Sequence, residues 1–268
     1  MGTGKLARLR RLFSHPSGRL CSIAVDHFVG YGEGIPDGLR NVARALEAIV
    51  SARPDAITMH RGVAASAWSA YAGAIPLILQ SSLARVDGSA CEQVATAEDA
   101  VRLGADALAM AAFIRGPTEA ARLRTIAECS RDAGHYDLPL VCHIYPRDLT
   151  GEVPRVSFRP EDVAWAVRCA YECGADVVKV PYCGDVQAYR QIVSECPVPV
   201  VAAGGPRADE LAAALHMIAE VVSSGARGAT IGRNAWGFGD TAAAVRAFKA
   251  VIHDGAKPEA ALRSAGVR

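Results

Sequence analysis

A single lysine lies inside an apolar run of this sequence. Lys179 interrupts the run Asp-Val-Val-Lys-Val-Pro-Tyr, and it is one of only four lysines in a chain that has 25 arginines. A guanidinium stays protonated and is a poor nucleophile, whereas burial disfavours the charged form of an amine. Because an uncharged amine can attack a ketone and form a Schiff base, we predict that Lys179 is a nucleophile. The alternative is a structural lysine that pairs with Asp26 or another inward acid.

Groups capable of acid/base chemistry lie in or beside other apolar runs. His143 and Tyr145 are two residues apart, so a strand would point both side chains to the same face. Asp26 and His27 stand at the end of an earlier run. Imidazole, phenol and carboxylate groups are common proton donors and acceptors in enzymes. The candidate catalytic residues are therefore Lys179, Tyr145, Asp26 and His143.

The elements that must position these residues alternate in type along the chain. Short apolar runs are each followed by an amphipathic stretch, which is typical of a parallel sheet covered by helices. Eight such units in 268 residues predict an α/β fold, a single (β/α)8 TIM barrel over residues 1–268, better than an open sheet. The predicted strands are residues 21–26, 55–60, 75–80, 107–114, 140–145, 177–182, 198–204 and 229–233. The predicted helices are residues 38–51, 63–71, 97–103, 118–133, 160–173, 186–195, 207–223 and 241–253.

Two glycine-containing segments follow the last two predicted strands. Barrels often bind phosphate with backbone N–H groups from these two loops, helped by a helix N-terminus. Gly204 and Gly205 end one strand, and Gly232 and Arg233 end the other. Glycine lets the backbone approach an anion closely, and Arg233, or Arg207 in the first loop, adds charge. We predict that these loops bind a phosphate group.

Local signals support the division into units. Gly-Ala-Asp precedes a predicted strand at residues 104–106 and again at 174–176, which is typical of a helix that ends at a glycine and leads into a strand. Thr96 stands three residues before Asp99, and Pro160 fits a first helical turn. The longest irregular stretch after a strand, residues 146–158, is predicted to cover the mouth of the barrel.

Composition excludes several other classes of protein. With 29 basic and 28 acidic residues and a net charge of +1, the chain has no charge excess to bind nucleic acid or an anionic membrane surface. Its apolar runs are strand-sized, far below the roughly 18 residues that span a membrane. The basic N-terminal segment lacks the apolar core of an export signal, so we expect a soluble, cytoplasmic protein. The eight cysteines contain no Cys-x-x-Cys pair, and we expect reduced thiols.

Five motifs resemble those of one enzyme family. They are Val25-Asp-His27, Ile144-Tyr-Pro-Arg147, Val178-Lys-Val-Pro-Tyr-Cys-Gly-Asp185, Val201-Ala-Ala-Gly-Gly-Pro206 and Ile231-Gly-Arg-Asn-Ala-Trp236. In this order they are similar to the archaeal-type class I fructose-bisphosphate aldolases and their relatives, which include 2-amino-3,7-dideoxy-threo-hept-6-ulosonate synthases and autoinducer-type thiolases.

The resemblance implies a role for each matched residue. Lys179 would be the Schiff-base lysine, Tyr145 the proton donor and acceptor, and Asp26 a further acid/base or orienting carboxylate. The two glycine loops and His27 would bind the substrate, a phosphorylated ketose such as fructose 1,6-bisphosphate, with an aldehyde as the partner in the reaction. A homo-oligomer is implied as well, with a decameric ring as one arrangement, and we expect no cofactor.

Two departures from the family pattern concern the half of the substrate farther from the phosphate. Phe28 stands where the family often has glycine, in a loop that continues to residue 36, and it would narrow or reshape the aldehyde side. Asp148 replaces the glycine of Tyr-Pro-Arg-Gly and puts a new carboxylate beside the predicted cover of the mouth.

Three other functions remain open at this point. One is transaldolase-like chemistry of the hept-6-ulosonate synthase type. A second is a metal-dependent lyase that uses His27, His60 and His143 as ligands, although their spacing fits no metal motif, and we expect no metal ion. The third is a non-catalytic protein that binds phosphosugars, because a fold alone does not establish a function.

Overall fold

Eight of the apolar runs form a closed parallel barrel in the computed structural model, which describes residues 2–31 and 34–266. The strands are β1 Leu20–Ala24, β2 Ala56–His60, β3 Leu77–Gln80, β4 Ser82–Ala84, β5 Cys91–Gln93, β6 Ala107–Ile114, β7 Leu140–Asp148, β8 Arg155–Val156, β9 Val177–Val180, β10 Val200–Ala203 and β11 Gly228–Ile231. Around the barrel the strands follow the order β6-β3-β2-β1-β11-β10-β9-β7, and pairing of β6 with β7 closes the ring. The predicted (β/α)8 barrel is confirmed.

Helices lie before, between and after the barrel strands. They are α1 Thr3–Leu12, α2 His27–Tyr31, α3 Val42–Ser51, α4 Arg61–Ala67, α5 Ala97–Arg102, α6 Glu119–His135, α7 Pro160–Glu172, α8 Val186–Ser194, α9 Leu211–Ser223, α10 Arg233–Trp236, α11 Thr241–Asp254 and α12 Pro258–Ala265. Two 3-10 turns lie at Asp37–Leu39 and Ser69–Tyr71. No helix in the described ranges is long and apolar enough to cross a membrane.

Side chains alternate between the two faces of every barrel strand, as the pleat requires. On the outer face, residues such as Ile23, Met59 and Ile144 pack against the helices in one large core. A separate apolar layer fills the lower interior: Leu20, Ala56, Ile78, Ala107, Ala109, Val141, Val177 and Val201. Two residues further along β9 and β7 the same inward face carries Lys179 and His143, so the polar groups lie directly above this layer.

The N-terminal helix α1 closes the bottom of the barrel, a feature that the sequence reading did not predict. Leu9, Leu12 and Phe13 pack against the lower interior layer. Lys5 Nζ lies 2.8 Å from Asp176 Oδ2, and Asp176 also accepts a hydrogen bond from the first residue of β7. The aspartate of the second Gly-Ala-Asp segment therefore holds the helix to the barrel.

Several predicted helix signals are confirmed. Thr96 and Asp99 form a capping box at the start of α5, and Pro160 occupies the first turn of α7. Gly104 and Gly174 have φ angles of 70° and 92°, the left-handed conformation that glycine adopts most readily where a helix ends.

Other predicted boundaries are wrong. Arg233 begins α10 instead of ending a strand, because the backbone leaves the extended conformation at Gly232 (φ −117°, ψ −98°). Helix α9 starts at Leu211 and not at residue 207, since residues 207–210 form part of the loop that follows β10. The helix predicted at 63–71 divides into α4 and a 3-10 turn.

Two antiparallel hairpins extend the barrel at its mouth. Strands β4 and β5 form one hairpin directly after β3, and the sequence pattern did not predict it. The other pairs the end of β7 with β8, through Arg147 with Val156 and Asp148 with Arg155. We call residues 147–158 the lid, and it lies within the stretch predicted to cover the mouth. Arg155, Val156 and Phe158 line a cavity at the mouth of the barrel, which we call the main cavity.

The cysteines are all in the described part of the chain, and all eight are free thiols. Burial raises the pKa of Cys129 to about 11 and that of Cys169 to about 12. A thiol with such a pKa is almost entirely protonated at neutral pH and is a poor nucleophile. The cysteines of this barrel behave as small core side chains.

Candidate active site

The predicted site residues surround one cavity of about 320 Å3 at the carboxyl ends of the barrel strands. Its lining includes Lys179, Tyr145, His27, Gly204, Gly205, Gly232 and Arg233. Asp26 and His143 are not part of that lining, and they lie in the polar layer beside it, almost fully buried. This mouth is where the loops of a parallel barrel converge.

Lys179 projects into the barrel from β9 and is 3% exposed. It stands in register with His143 on one neighbouring strand and with Val201 on the other. Among the described residues no carboxylate lies within ion-pair distance of its ammonium group, so the alternative of a lysine paired with Asp26 is not what the structure shows. The amine is held inside the cavity without a charge partner in direct contact.

Asp26 follows β1 and approaches His27, with 3.3 Å between Asp26 Oδ1 and His27 Nδ1. Burial favours the protonated carboxyl, but the hydrogen bond and charge of His27, with the charges of Lys179 and His143, outweigh it and hold the pKa of Asp26 well below its usual range. Asp26 is therefore a carboxylate at neutral pH. It can accept a proton or orient a donor, as the resemblance implied.

His143 and Asp26 share one partner, a polar residue at the end of a predicted strand that was not assigned a catalytic or binding role from the sequence. Gln80, at the end of β3, donates from Nε2 to Asp26 Oδ2 at 2.9 Å and contacts His143 Nδ1 at 3.3 Å. Burial and the nearby charge of Lys179 lower the pKa of His143 well below its ordinary value. The imidazole is neutral at physiological pH. An end-of-strand position on the inward face was the only sequence signal for Gln80.

Tyr145 lies two residues beyond His143 on the same inward face, as the alternation predicted. Its ring stacks on Phe113 of the adjacent strand, with 5.2 Å between centroids. Tyr145 borders the main cavity and also a smaller cavity whose lining includes Asp26, His60, Gln80 and Ser82. It thus separates the side of the mouth that carries the glycine loops from the side formed by β2 and β3.

The glycine loops face the main cavity, but not every N–H group is available to an anion. The N–H of Gly204 donates to Thr230 O within the barrel, at 2.9 Å. The next residue, Gly205, has a φ of +76°, which turns the backbone away from the sheet. At Gly232 an added Cβ would come within 2.1 Å of the His27 ring, so only glycine lets the loop approach His27 this closely. The loop after β11 ends at Arg233, whose side chain lines the cavity.

Asn234 ties the two glycine loops together, and it too was missing from the candidate site residues. This side chain is 2% exposed. Its Nδ2 donates to Gly204 O and Pro206 O, both at 2.8 Å, and its Oδ1 accepts from Ala208 N at 2.9 Å. Asn234 therefore sets the position of one loop relative to the other. Its place in the Gly-Arg-Asn motif was the available signal.

Of the two departures from the family pattern, Asp148 lies in the lid, as expected, whereas Phe28 does not lie where it would narrow the aldehyde side. The Asp148 carboxylate accepts three hydrogen bonds from other residues of the lid. Thr150 donates to it from N and Oγ1, and Arg155 Nε donates at 3.1 Å. These contacts lower the pKa of Asp148 to about 2. Phe28 is 48% exposed and does not line the cavities described here, so it does not narrow them. Phe28 lies in α2, and residues 32 and 33 of the loop predicted there lie outside the described residues.

The described residues do not form the three-histidine metal site of the metal-dependent alternative. Within residues 2–31 and 34–266, no three His, Cys, Asp or Glu side chains are grouped so that they could hold a metal ion. His27 instead approaches Asp26 and packs edge-on against Trp236, with 5.2 Å between ring centroids.

Comparison with known proteins agrees with this geometry. The sequence model of the DeoC/LacD family aldolases matches residues 20–237 of this chain. A 2-amino-3,7-dideoxy-D-threo-hept-6-ulosonate synthase of Halobacterium salinarum is 32% identical over 267 residues, which cover 98% of this chain and 97% of that protein. A class 1 fructose-bisphosphate aldolase of Thermoproteus tenax is 32% identical over 265 residues, which cover 92% of this chain and 94% of that protein.

A solved structure shows the same fold with a reaction intermediate. It is an archaeal fructose-1,6-bisphosphate aldolase whose catalytic lysine is covalently bound to the carbinolamine intermediate of the substrate. This chain matches it with a TM-score of 0.81 and 29% identity, over 93% of this chain and 99% of that one. The chain belongs to the DeoC/LacD aldolase family, as a class I enzyme of the Schiff-base type. It is a carbon–carbon lyase.

Proposed function

We propose that this aldolase makes or cleaves a carbon–carbon bond in a phosphorylated ketose, through a Schiff base between Lys179 and the ketone carbon. The observation that carries the proposal is the position of Lys179. It is 3% exposed, it has no ion-pair partner in the described ranges, and it shares one cavity with Tyr145 and both glycine loops. An amine in such a place can attack a carbonyl carbon.

The neighbouring residues divide the proton transfers. We propose that Tyr145 exchanges a proton with the substrate hydroxyl at the bond that breaks or forms, because its side chain borders both halves of the mouth. Asp26 is ionised, and its charge interacts with that of Lys179 without forming an ion pair. It orients His27 and balances the positive charge of the iminium ion. A carboxylate that stays ionised stabilises a cationic intermediate by simple attraction.

The phosphate of the ketose is proposed to bind at Gly205, Gly232 and Arg233, with Gly204 and His27 shaping the pocket. These residues line the same cavity as Lys179, so a phosphate there places the carbonyl of a short ketose beside the amine. The N-terminus of α10 starts at Arg233 and lies at the same point. Backbone N–H groups and a guanidinium together favour a dianion.

The physiological substrate is proposed to be fructose 1,6-bisphosphate or a related ketose phosphate. Relatives named as a fructose-bisphosphate aldolase and as a hept-6-ulosonate synthase are equally similar in sequence to this chain, at 32%. A transaldolase-like reaction of the second kind is therefore the alternative. The two are distinguished by product: cleavage alone releases two fragments, whereas transfer requires a second carbonyl acceptor.

Imine trapping tests the proposal directly. The enzyme is incubated with fructose 1,6-bisphosphate or dihydroxyacetone phosphate and reduced with borohydride, and the adduct is mapped by intact mass and peptide analysis. We expect one adduct, on Lys179, that a chelator does not prevent. Lys179→Arg should fold and lose both adduct and turnover, since a guanidinium cannot form the imine. Lys257→Arg, at an exposed lysine, is the matched control and should keep both.

The result that would overturn the proposal is equally definite. Substantial activity in Lys179→Arg would show that Schiff-base chemistry at this residue is wrong. An adduct on another lysine would move the site, and activity that a chelator abolishes would favour the metal-dependent alternative.

We propose further that the enzyme works in the cytoplasm as a homo-oligomer of one-domain subunits. Supporting the oligomer, Trp165 and Tyr171 on α7 are 43% and 37% exposed and border a groove on the outside of the barrel. Light scattering coupled to size-exclusion chromatography tests this. A monomer at micromolar concentration would contradict it.

A further inference from the structure

The orientation of the Gln80 amide is determined by its neighbours. Gln80 Oε1 accepts hydrogen bonds from the backbone N and from Oγ of Ser82, both at 3.2 Å. A backbone N–H can only donate, so the atom facing Ser82 must be the amide oxygen. The amide nitrogen then faces Asp26 Oδ2 and His143 Nδ1, at 2.9 and 3.3 Å. The two N–H bonds of Nε2 serve these two acceptors.

This arrangement selects one tautomer of His143. An amide nitrogen has no lone pair to offer, so His143 Nδ1 must accept and cannot itself carry a proton. The single proton of the neutral imidazole is then on Nε2. We propose that Gln80 is a positioning residue that holds His143 as a fixed Nε2–H hydrogen-bond donor for the substrate, and that His143 does not act as the acid or base. This inference rests on the proposed aldolase function.

From the strand order we infer that the Nε2 edge of the imidazole points toward the Lys179 side of the barrel. Gln80 is on β3, which is reached from β7 across β6, whereas Lys179 is on β9, directly next to β7 on the other side and in register with His143. With Nδ1 turned to Gln80, Nε2 faces away from β3. His143 Nε2 is buried and has no hydrogen-bond partner among the described residues. A buried donor without a partner is costly, and a substrate oxygen would satisfy it.

The donor suits the first chemical step. As Lys179 Nζ forms its bond to the ketone carbon, the π electron pair of the carbonyl moves onto the oxygen. The nitrogen loses a proton and the oxygen gains one, which gives the carbinolamine. An Nε2–H group beside this oxygen stabilises its developing charge without giving up its own proton, in the manner of a preorganised oxyanion donor.

His143 is unsuited to proton transfer for two reasons. Burial and the charge of Lys179 hold the imidazole neutral, with Asp26 opposing and His27 reinforcing that effect. A second proton would also have to enter at Nδ1, where Gln80 Nε2 already donates. Protonation would therefore break the contact with Gln80 and bring two donors face to face.

Nitrogen NMR of histidine-labelled enzyme tests the tautomer without substrate. The His143 signals are assigned by their loss in His143→Gln. We expect the protonated nitrogen of His143 to be Nε2 in the wild type, and a mixture of tautomers in Gln80→Leu. A proton on Nδ1 in the wild type, or an unchanged tautomer in Gln80→Leu, would overturn the role of Gln80.

Kinetics separate a donor from an acid or base. In His143→Gln the side-chain amide keeps an N–H donor near the position of Nε2 but cannot titrate, so kcat should stay within about tenfold of wild type; in His143→Leu the donor is gone and kcat should fall on the order of 10²- to 10³-fold. Equal losses in both variants would show that proton transfer is the role of His143.

The effect of Gln80 is measured in the same assay. Gln80→Leu should lower kcat by on the order of tenfold, a smaller loss than removal of the donor, with KM almost unchanged. Gln191→Leu, at an exposed glutamine of α8, is the matched control. If wild-type enzyme gives no borohydride adduct on Lys179, the aldolase mechanism itself fails; if the adduct forms but His143 carries its proton on Nδ1, only the present inference fails.

Discussion

Asn234 offers a test of how the phosphate site is assembled. Asn234→Ala removes two hydrogen bonds to the carbonyls of Gly204 and Pro206 and one from the N–H of Ala208. All three belong to the loop after β10, while Asn234 itself lies in α10. The substitution therefore leaves both loops chemically intact and removes only the side chain that joins them.

The size of the effect follows from these contacts. Each hydrogen bond contributes about 1 kcal/mol net, so the free energy of unfolding should fall by about 3 kcal/mol. The loop is partly exposed, and water can replace the lost partners, which keeps the loss near this value. For a chain of this size, that free energy lowers Tm by roughly 6 °C. KM for a phosphorylated ketose should rise by on the order of tenfold, because the two sets of anion donors lose their alignment.

The assay needs a control that loses stability elsewhere. Asn41→Ala removes the side chain that caps α3, which accepts from Arg44 N at 3.0 Å and does not line the cavity. This costs about 1 kcal/mol and should leave KM unchanged. Thermal unfolding and steady-state kinetics at 25 °C are measured for both variants. If Asn234→Ala lowers Tm but has the KM of the wild type, the two loops do not need Asn234 for substrate binding, and the reasoning is refuted.

Three further predictions concern single side chains. Tyr145→Phe should lower kcat by about 10²- to 10⁴-fold while borohydride still traps the ketose on Lys179; unchanged single-turnover rates would assign the proton transfer to another group. Arg233→Ala should raise KM for phosphorylated ketoses about 10- to 100-fold, the equivalent of roughly 1.5–3 kcal/mol, with little change for unphosphorylated ones, and equal effects on both would argue against a phosphate contact. The lowered pKa of His143 means that the unfolded chain takes up a proton below about pH 6.5 that the folded enzyme does not, so stability should fall as the pH drops from about 6.5, by up to about 1.4 kcal/mol per pH unit. The free energy of unfolding, measured with urea between pH 5 and 8, should depend less steeply on pH in His143→Gln than in the wild type. The same pH dependence in both proteins would contradict this.

Much of the barrel was predictable because its determinants are local. Alternation of side chains along a strand depends on nothing beyond the strand itself, so the inward face shared by His143 and Tyr145 followed from a spacing of two residues. The isolated position of Lys179 in an apolar run was likewise visible in the sequence. A helix signal such as the Thr96 and Asp99 capping box also acts within one turn.

The boundaries that were wrong lie where tertiary contacts override local pattern. Residues 207–210 read as helix, yet Ala208 N donates to Asn234 Oδ1 across the mouth and holds the segment as a loop. Arg233 read as the end of a strand, but the approach of Gly232 to the His27 ring turns the backbone there. The strands β4 and β5 pair with each other and have three residues each. Strands this short give no periodic signal in the sequence.

The amino-acid pattern alone is enough to predict the eight barrel strands, the face that each one buries, and an amine and acid/base groups on the inward face. Which of those groups meet follows from the closed barrel and not from the pattern. Gln80 contacts Asp26 and His143 from 54 and 63 residues away, and Asn234 reaches Gly204 across 30. These pairings depend on the closure of the barrel and on the register between its strands, which bring distant side chains to hydrogen-bonding distance. A hydrogen bond is short and directional, so a pattern read along one chain cannot specify it until the barrel has brought its two partners together.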